Sequence, residues 1–255
     1  MTRLAAGIDI GSMATKAVIF DGEVRGEAVV PTGWEPREAG LRALREALVG
    51  AGLSEGRVER VVGTGYGRVS LPIFDRKVTE ITCHARGAYH LNAGTRTVID
   101  IGGQDSKVIV LNHDGAVADF IMNDKCAAGT GRFLQVMAGV LDVTLDGLGV
   151  LAANAEPASL SSMCTVFAES EIVGLLAAGA GKEAIAAGIL ASIAQRIQGL
   201  AGRVSVLGEI TFTGGTARNP EICEVVAAHL GVPLHIPANP QLVGALGAAL
   251  IGWDA

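Results

Sequence analysis

The sequence predicts an α/β protein built as two related domains that face each other across a cleft. Three observations lead there. The same strand–turn–strand unit occurs twice, with Asp9 heading one copy and Asp100 the other. The chain of 255 residues is long enough to bury a sizeable core and to form two modest domains. Its 35 glycines and 18% of charged residues describe a compact chain with many tight turns, not a disordered one.

Residues 6–20 read AGIDIGSMATKAVIF and lead to Asp21-Gly22, while residues 98–111 read VIDIGGQDSKVIVL and lead to Asp114-Gly115. Each copy is an apolar strand ending in Asp-Ile-Gly, a small polar turn, a Lys, a second apolar strand and a hairpin turn. The interval is too long for a solenoid repeat and fits duplicated domains. The backbone N–H groups of such a turn can wrap phosphate oxygens. Asp9 and Asp100 would hold Mg²⁺, directly or through water, with Lys16 and Lys107 adding positive charge. One copy alone is as well explained by a plain β-turn beside a stray acid; two in register favour a nucleotide.

Between the copies, residues 36–49 have the spacing of an amphipathic helix (Leu41, Leu44, Leu48) and residues 57–63 that of a strand. GTGYGR (63–68) reads as a loop. Residues 80–88 are helical, and the adjacent Cys83 and His84 point to different faces, which argues against a catalytic pair and leaves Cys83 structural. After the second copy come a strand over 115–122, a short helix over 145–155 and helices over 167–178 and 182–204. A strand over 209–213 then runs into Gly214-Gly215, read as opening a helix over 221–230 whose N–H groups face whatever lies above the strand. Cys223 lies in that helix as core. Residues 233–237 form a short strand, and the small-residue segment 239–253 a helix suited to tight packing across a hinge.

Two cysteines stand apart. Asp124 is a good N-cap for a helical pattern through Leu134, Met137 and Val140, which puts Cys126 in a first turn. Cys164 follows Ser161-Ser162 at the start of another helix. Unpaired amides and the positive dipole end favour a thiolate at both positions. Each is either a small buried apolar residue or a soft ligand. Two thiolates cannot complete a zinc or iron–sulfur site, but a second copy across a two-fold axis would supply two more. Gly129 and Gly131 would let backbones approach there.

A net charge of −6 argues against nucleic-acid and anionic-membrane partners. Four scattered cysteines without a CxxC pair do not form a secreted disulfide framework. Asp9 interrupts the first apolar run, and the longest uncharged apolar stretch, 242–253, is too short to span a bilayer. A cytoplasmic protein is expected.

The turns 9–16, 100–107 and 212–219 resemble the two phosphate motifs and the adenosine motif of the actin, hexokinase and heat-shock ATPase superfamily. More narrowly, seven motifs in order over nearly the whole chain resemble the activator (archerase) component of 2-hydroxyacyl-CoA dehydratases. They are GTGYGR (63–68), EITCHARGA (80–88), VIDIGGQDSK (98–107), NDKCAAGTGRF (123–133), CTVFAESE (164–171), TGGTARN (213–219) and PQLVGALGAAL (240–250).

That resemblance implies two duplicated actin/hexokinase-like (ribonuclease H-like) domains around an interdomain ATP cleft: residues 1–95 with the C-terminal helix 239–255, and residues 96–238. It implies ATP/ADP and Mg²⁺ held by Gly11, Ser12, Met13, Ala14, Thr15 and Lys16 of the first turn and Gly102, Gly103, Gln104 and Asp105 of the second. Gly214, Gly215, Ala217 and Arg218 of the third turn, and Gln241, complete the set. The resemblance makes Asp9 and Asp100 the expected catalytic carboxylates, with Gln104 helping to place the attacking water. It further implies a homodimer sharing one 4Fe-4S cluster between Cys126 and Cys164 of each protomer, so that Cys83 and Cys223 are not ligands.

The implied function is ATP-dependent injection of a low-potential electron into an acyl-CoA dehydratase, with ferredoxin or flavodoxin as donor. Closure of the cleft would change the angle between the two cysteine helices. Similar activators serve benzoyl-CoA reductases and other double-cubane-cluster reductases. A small-molecule kinase of the same fold, with Asp119 or Asp124 as base, and a non-catalytic nucleotide-gated assembly protein are the remaining expectations.

Overall fold

The computed structural model describes residues 3–123, 129–161, 165–206 and 208–255. Two five-stranded sheets repeat one plan. In the first, β1 (Ala5–Ile10) pairs antiparallel with β2 (Ala14–Phe20), which pairs with β3 (Val24–Pro31); β4 (Arg60–Thr64) lies parallel on the other side of β1, followed by β5 (Arg76–Lys77). In the second, β6 (Thr95–Ile101), β7 (Ser106–Leu111) and β8 (Val117–Met122) form the antiparallel side, and β9 (Glu209–Thr213) and β10 (Leu234–His235) the parallel side. Asp9 stands opposite Lys16 and Thr64; Asp100 stands opposite Lys107 and Thr213. The duplication seen in two hairpins therefore extends through both sheets.

Burial explains the strand sequences. β1 and β7 are buried along their whole length and are apolar except at their cavity ends, where β1 carries Asp9 and β7 opens with Ser106 and Lys107, while β3 alternates because one of its faces is open. The covered face of the first sheet packs on α1 (Pro36–Gly50), which starts with Pro at its N-terminus and buries Ala43, Leu44, Ala47 and Leu48. On the other face lies α8 (Val243–Trp253), packed on β1, β2 and β4 and along α2 (Glu80–Leu91). That crossing is close because a Cβ at Gly247 would run into the carbonyl of Cys83. α2 also contacts β6 and β7, so it bridges the two halves.

The second half holds the larger core. α3 (Gly131–Val140), α4 (Leu145–Ala152), α5 (Thr165–Ala177), α6 (Lys182–Ala201) and α7 (Pro220–Leu230) pack with its sheet around Ile185, Ile189, Ile193 and Ile197 of α6. By length and composition α6 could cross a membrane, but two-thirds of its apolar window is buried inside the protein, at 67%. It is a core helix of 20 residues, and Lys182, Glu183 and Arg196 interrupt its apolar sequence, so it is not an uncharged stretch like 242–253.

Several boundaries differ from the sequence expectation. The helix expected from Asp124 begins at Gly131, with Thr130 at its N-cap; Gly129 at φ 84° cannot sit inside a helix. Asp124 and Cys126, like Cys164, lie outside the described residues. Gly214-Gly215 do not open α7. Residues Gly215–Arg218 form a separate 3-10 turn, and Asn219 caps α7 by accepting the Ile222 N–H at 3.0 Å, with Pro220 at the first turn. Residues Pro240–Leu242 make another 3-10 turn before α8. Cys223 is half-buried, with its Sγ 3.3 Å from the Ala217 carbonyl, rather than a core residue.

Candidate functional site

A cavity of about 730 Å³ lies where the strand ends of the two sheets meet. Each hairpin shapes its own wall of it. The Gly11 N–H donates to Ala14 O at 3.1 Å and the Gly102 N–H to Asp105 O at 2.8 Å, bending both turns alike. Lys16 Nζ lies 3.0 Å from Asp9 Oδ2. Lys107 Nζ lies 3.3 Å from Asp100 Oδ2 and 2.6 Å from Asp105 Oδ1. Asp9 is 5% exposed and Asp100 3%, depths at which a carboxylate needs a charged partner. Gly103 packs on Ser12 and Met13, so the two turns touch across the cavity.

The parallel strands finish the frame. Thr64 and Thr213, opposite the two acids, are each followed by a glycine with positive φ: Gly65 at 80° and Gly214 at 93°. A Cβ at Gly65 would meet Asp9 Oδ1, and one at Gly214 would lie 2.8 Å from Asp100 Oδ1. The backbone thus runs flush against both carboxylates in conformations that glycine adopts freely. Arg68 pins the first loop by donating to Gly65 O at 2.9 Å and to Glu80 Oε2 at 3.1 Å.

His84 enters from α2 between the halves. Its Nδ1 is 3.1 Å from Thr213 Oγ1 and 3.6 Å from Asp100 Oδ1, and its Nε2 abuts Gly244 of α8. Thr213 Oγ1 lies 3.1 Å from Asp100 Oδ1; donating its one proton there leaves a lone pair for a His84 N–H. Burial works to raise the Asp100 pKa. The charges of His84, Lys107 and Lys16 and the Thr213 hydroxyl outweigh it and hold the carboxyl at about 2. Burial likewise works against the Lys107 ammonium, and Asp100 and Asp105 raise its pKa above that of an ordinary lysine. Both groups stay charged at neutral pH.

The geometry suits a polyanion with a hard cation. Two carboxylates from separate turns reach one cavity, whose glycine-rich turns can present amides to phosphate. Mg²⁺ is commonly held by one or two carboxylates, with phosphate oxygens and water completing its shell. Among the described residues, no group of three or more His, Cys, Asp and Glu could hold a metal ion by itself. Burial pushes the Cys83 thiol up to about 12 and the Cys223 thiol to about 11, so neither is a thiolate at neutral pH.

Most residues singled out from sequence line this cavity. Gly11, Ser12, Met13, Ala14 and Lys16 do so, as do Gly102, Gly103, Gln104 and Asp105, and Gly214, Gly215, Arg218 and Gln241. Gln104 also borders a smaller adjoining cavity with Thr32 and Tyr66. Thr15 and Ala217 are placed elsewhere: the Thr15 hydroxyl lies 2.9 Å from that of Thr32, and Ala217 belongs to the core of the second half. Gly65, Tyr66, Glu80 and His84 line the cavity too, although none of them stood out as a site residue in the sequence. For Gly65 a signal existed, since Thr64-Gly65 after β4 matches Thr213-Gly214 after β9. For His84 none did; helix periodicity separates it from Cys83 without saying what it faces.

A family model described as the BadF/BadG/BcrA/BcrD ATPase family matches residues 6–252. The chain is 46% identical over 254 residues to the activator of lactoyl-CoA dehydratase of Anaerotignum propionicum, covering 98% of this chain and 97% of the relative. A solved structure of the activator of the 2-hydroxyisocaproyl-CoA dehydratase from Clostridium difficile, with bound ADPNP, superposes with a TM-score of 0.93 at 42% identity, covering 98% of this chain and 94% of that one. A component of the benzoyl-CoA reductase of Thauera aromatica is 32% identical over 98% of this chain and 93% of its own.

Proposed function

Starting from the fact that the chain belongs to the BadF/BadG/BcrA/BcrD ATPase family, we propose that it is an ATP-driven activator that injects a low-potential electron into a 2-hydroxyacyl-CoA dehydratase. The observation that carries this reading is the near full-length similarity to dehydratase activators, at 46% identity to one of them. The cavity supports it, because its duplicated Asp–turn–Lys hairpins face each other as a nucleotide requires. A benzoyl-CoA reductase component as partner is the second reading, favoured by the relative from Thauera aromatica.

In this proposal residues 1–95 with 239–255 form one ATPase domain and residues 96–238 the other. The three glycine turns and Gln241 bind ATP, and the exposed Gln104 places the attacking water. Asp9 and Asp100 would hold Mg²⁺, which neutralises charge developing on the phosphates. Lys107 helps keep the Asp100 carboxylate ionised, and Lys16 places a positive charge 3.0 Å from Asp9. Two chains would form a homodimer and hold one 4Fe-4S cluster through Cys126 and Cys164 of each. The cluster would carry the electron from ferredoxin or flavodoxin to the partner. Such chemistry belongs in the cytoplasm, where thiols stay reduced.

The test is the visible spectrum, iron content and solution mass of protein purified without oxygen, followed by ATP turnover with a dehydratase. About four irons per dimer and a brown absorbance bleached by dithionite are expected. A colourless monomer that leaves every dehydratase inactive would overturn the electron-transfer reading.

A further inference from the structure

The second phosphate turn does more than border the cavity: its carbonyls cap α3. Gly131 N–H donates to Gly102 O at 2.8 Å and Arg132 N–H to Gly103 O at 2.9 Å. These are the first two helical amides, which no carbonyl of their own helix can satisfy, and Thr130 provides no side-chain cap. A planar trans peptide points its C=O and the following N–H in opposite directions. Anchoring the two carbonyls on α3 therefore turns the Gly103 and Gln104 N–H groups away from it, and both residues line the cavity.

Ser106 fastens the same region from the other side. Its Oγ donates to Gly129 O at 2.5 Å, its N–H to Asn123 Oδ1 at 2.7 Å, and its carbonyl accepts the Asn123 N–H at 3.0 Å. One buried residue of the hairpin thus grips both residues that flank positions 124–128. α3 in turn packs on α5, which begins at Thr165. The first turn is wired differently. Gly11 O accepts Thr32 Oγ1 at 2.7 Å and Met13 O accepts the Thr32 N–H at 3.1 Å, and Thr32 immediately follows β3 in the same half. The two copies share a turn but differ in what the turn holds.

We infer that Ser106 is a positioning residue which, with the Gly102 and Gly103 carbonyls, transmits nucleotide occupancy of the second turn to Asn123, Gly129 and α3. The signal runs inside one half of the molecule, without passing through the α2–α8 contact. A phosphate that draws on the Gly103 and Gln104 amides shifts the peptide planes whose carbonyls cap α3. The purpose of this coupling rests on the activator reading; its existence does not.

Amide hydrogen exchange of the purified full chain, with and without saturating ADPNP, tests it. In the wild type, nucleotide slows exchange at residues 9–16 and 102–106 and changes it across 121–133. We expect a change of about fivefold there, which one hydrogen bond of ordinary strength allows. In Ser106→Ala the turn peptides and the carbonyl-capped start of α3 at 131–133 still respond, while the change at 121–130 shrinks to within about twofold. Asn123→Ala, which removes the other side of the grip, behaves the same way if Ser106→Ala folds poorly. Thr32→Ala keeps the full response at 121–133. An undiminished response at 121–130 in both grip variants, or an equal loss in Thr32→Ala, overturns the inference. Iron content and dehydratase activation, measured in parallel, separate the two claims. An iron-free protein with a Ser106-dependent response sinks the electron-transfer reading alone; an active dimer indifferent to Ser106 sinks the coupling alone.

Discussion

Gly214→Ala is the substitution whose cost the structure fixes most directly. At φ 93° and ψ 173° the residue lies in a region nearly closed to side chains, which costs about 1–3 kcal/mol. The new Cβ would also collide with Ile101 O and stand 2.8 Å from Asp100 Oδ1, both parts of the rigid second hairpin. Relieving that overlap costs about 1–3 kcal/mol more. A total of about 4 kcal/mol corresponds to a fall in Tm of about 8–16 °C for a chain of this size. Gly215→Ala is the control, because its Cβ would enter open space and its φ is not positive; its Tm should stay within about 2 °C. Thermal unfolding followed by circular dichroism reads both. If the two variants melted together, the placement of Gly214 against the Asp100 carboxylate would be wrong.

Three further outcomes follow from the packing and the charges. In the wild type the Asp100 carboxyl is held at about 2, below its ordinary 3.8, so the stability it contributes is present above pH 3.8 and is lost as pH falls toward 2. Lys107→Met raises that pKa, so urea midpoints of the variant should begin to fall at a higher pH than those of the wild type; parallel curves would contradict the pairing. Cys83, fully buried with its thiol pushed up to about 12, should resist iodoacetamide at about pH 8 in the native protein and react after unfolding, as peptide mapping would show. Gly247→Val forces a side chain into the Cys83 carbonyl and should destabilise by about 4 kcal/mol or more, and an unchanged Tm would mean that α2 and α8 are not in contact.

The fold was legible where chemistry repeats. Asp9–Lys16 and Asp100–Lys107 announce themselves because a buried acid, a glycine turn and a lysine at the same spacing are rarely needed for packing alone. β3 was harder, since VRGEAVVP alternates too loosely to mark its ends. The start of α3 was misplaced because Asp124 is a good cap in isolation, whereas Gly129 takes a positive φ and the phosphate turn, distant in sequence, supplies the cap instead. His84 shows the same limit. Its neighbours Thr213 and Gly244 lie far along the chain, and only the meeting of α2, β9 and α8 reveals what the ring touches.

The position of α8 bears on how the molecule is made. Val18, Phe20 and Val62 of the first sheet, and Cys83 on α2, lose their apolar cover without Ala245, Leu246, Ala248 and Leu250 of α8. A ribosome delivers the early strands first and α8 last among the described elements. Both strands and helices of the second half emerge before the first half can be sealed. The half that begins translation is therefore the half that finishes folding, and its unsealed face must be kept from other chains until residues 243–253 arrive.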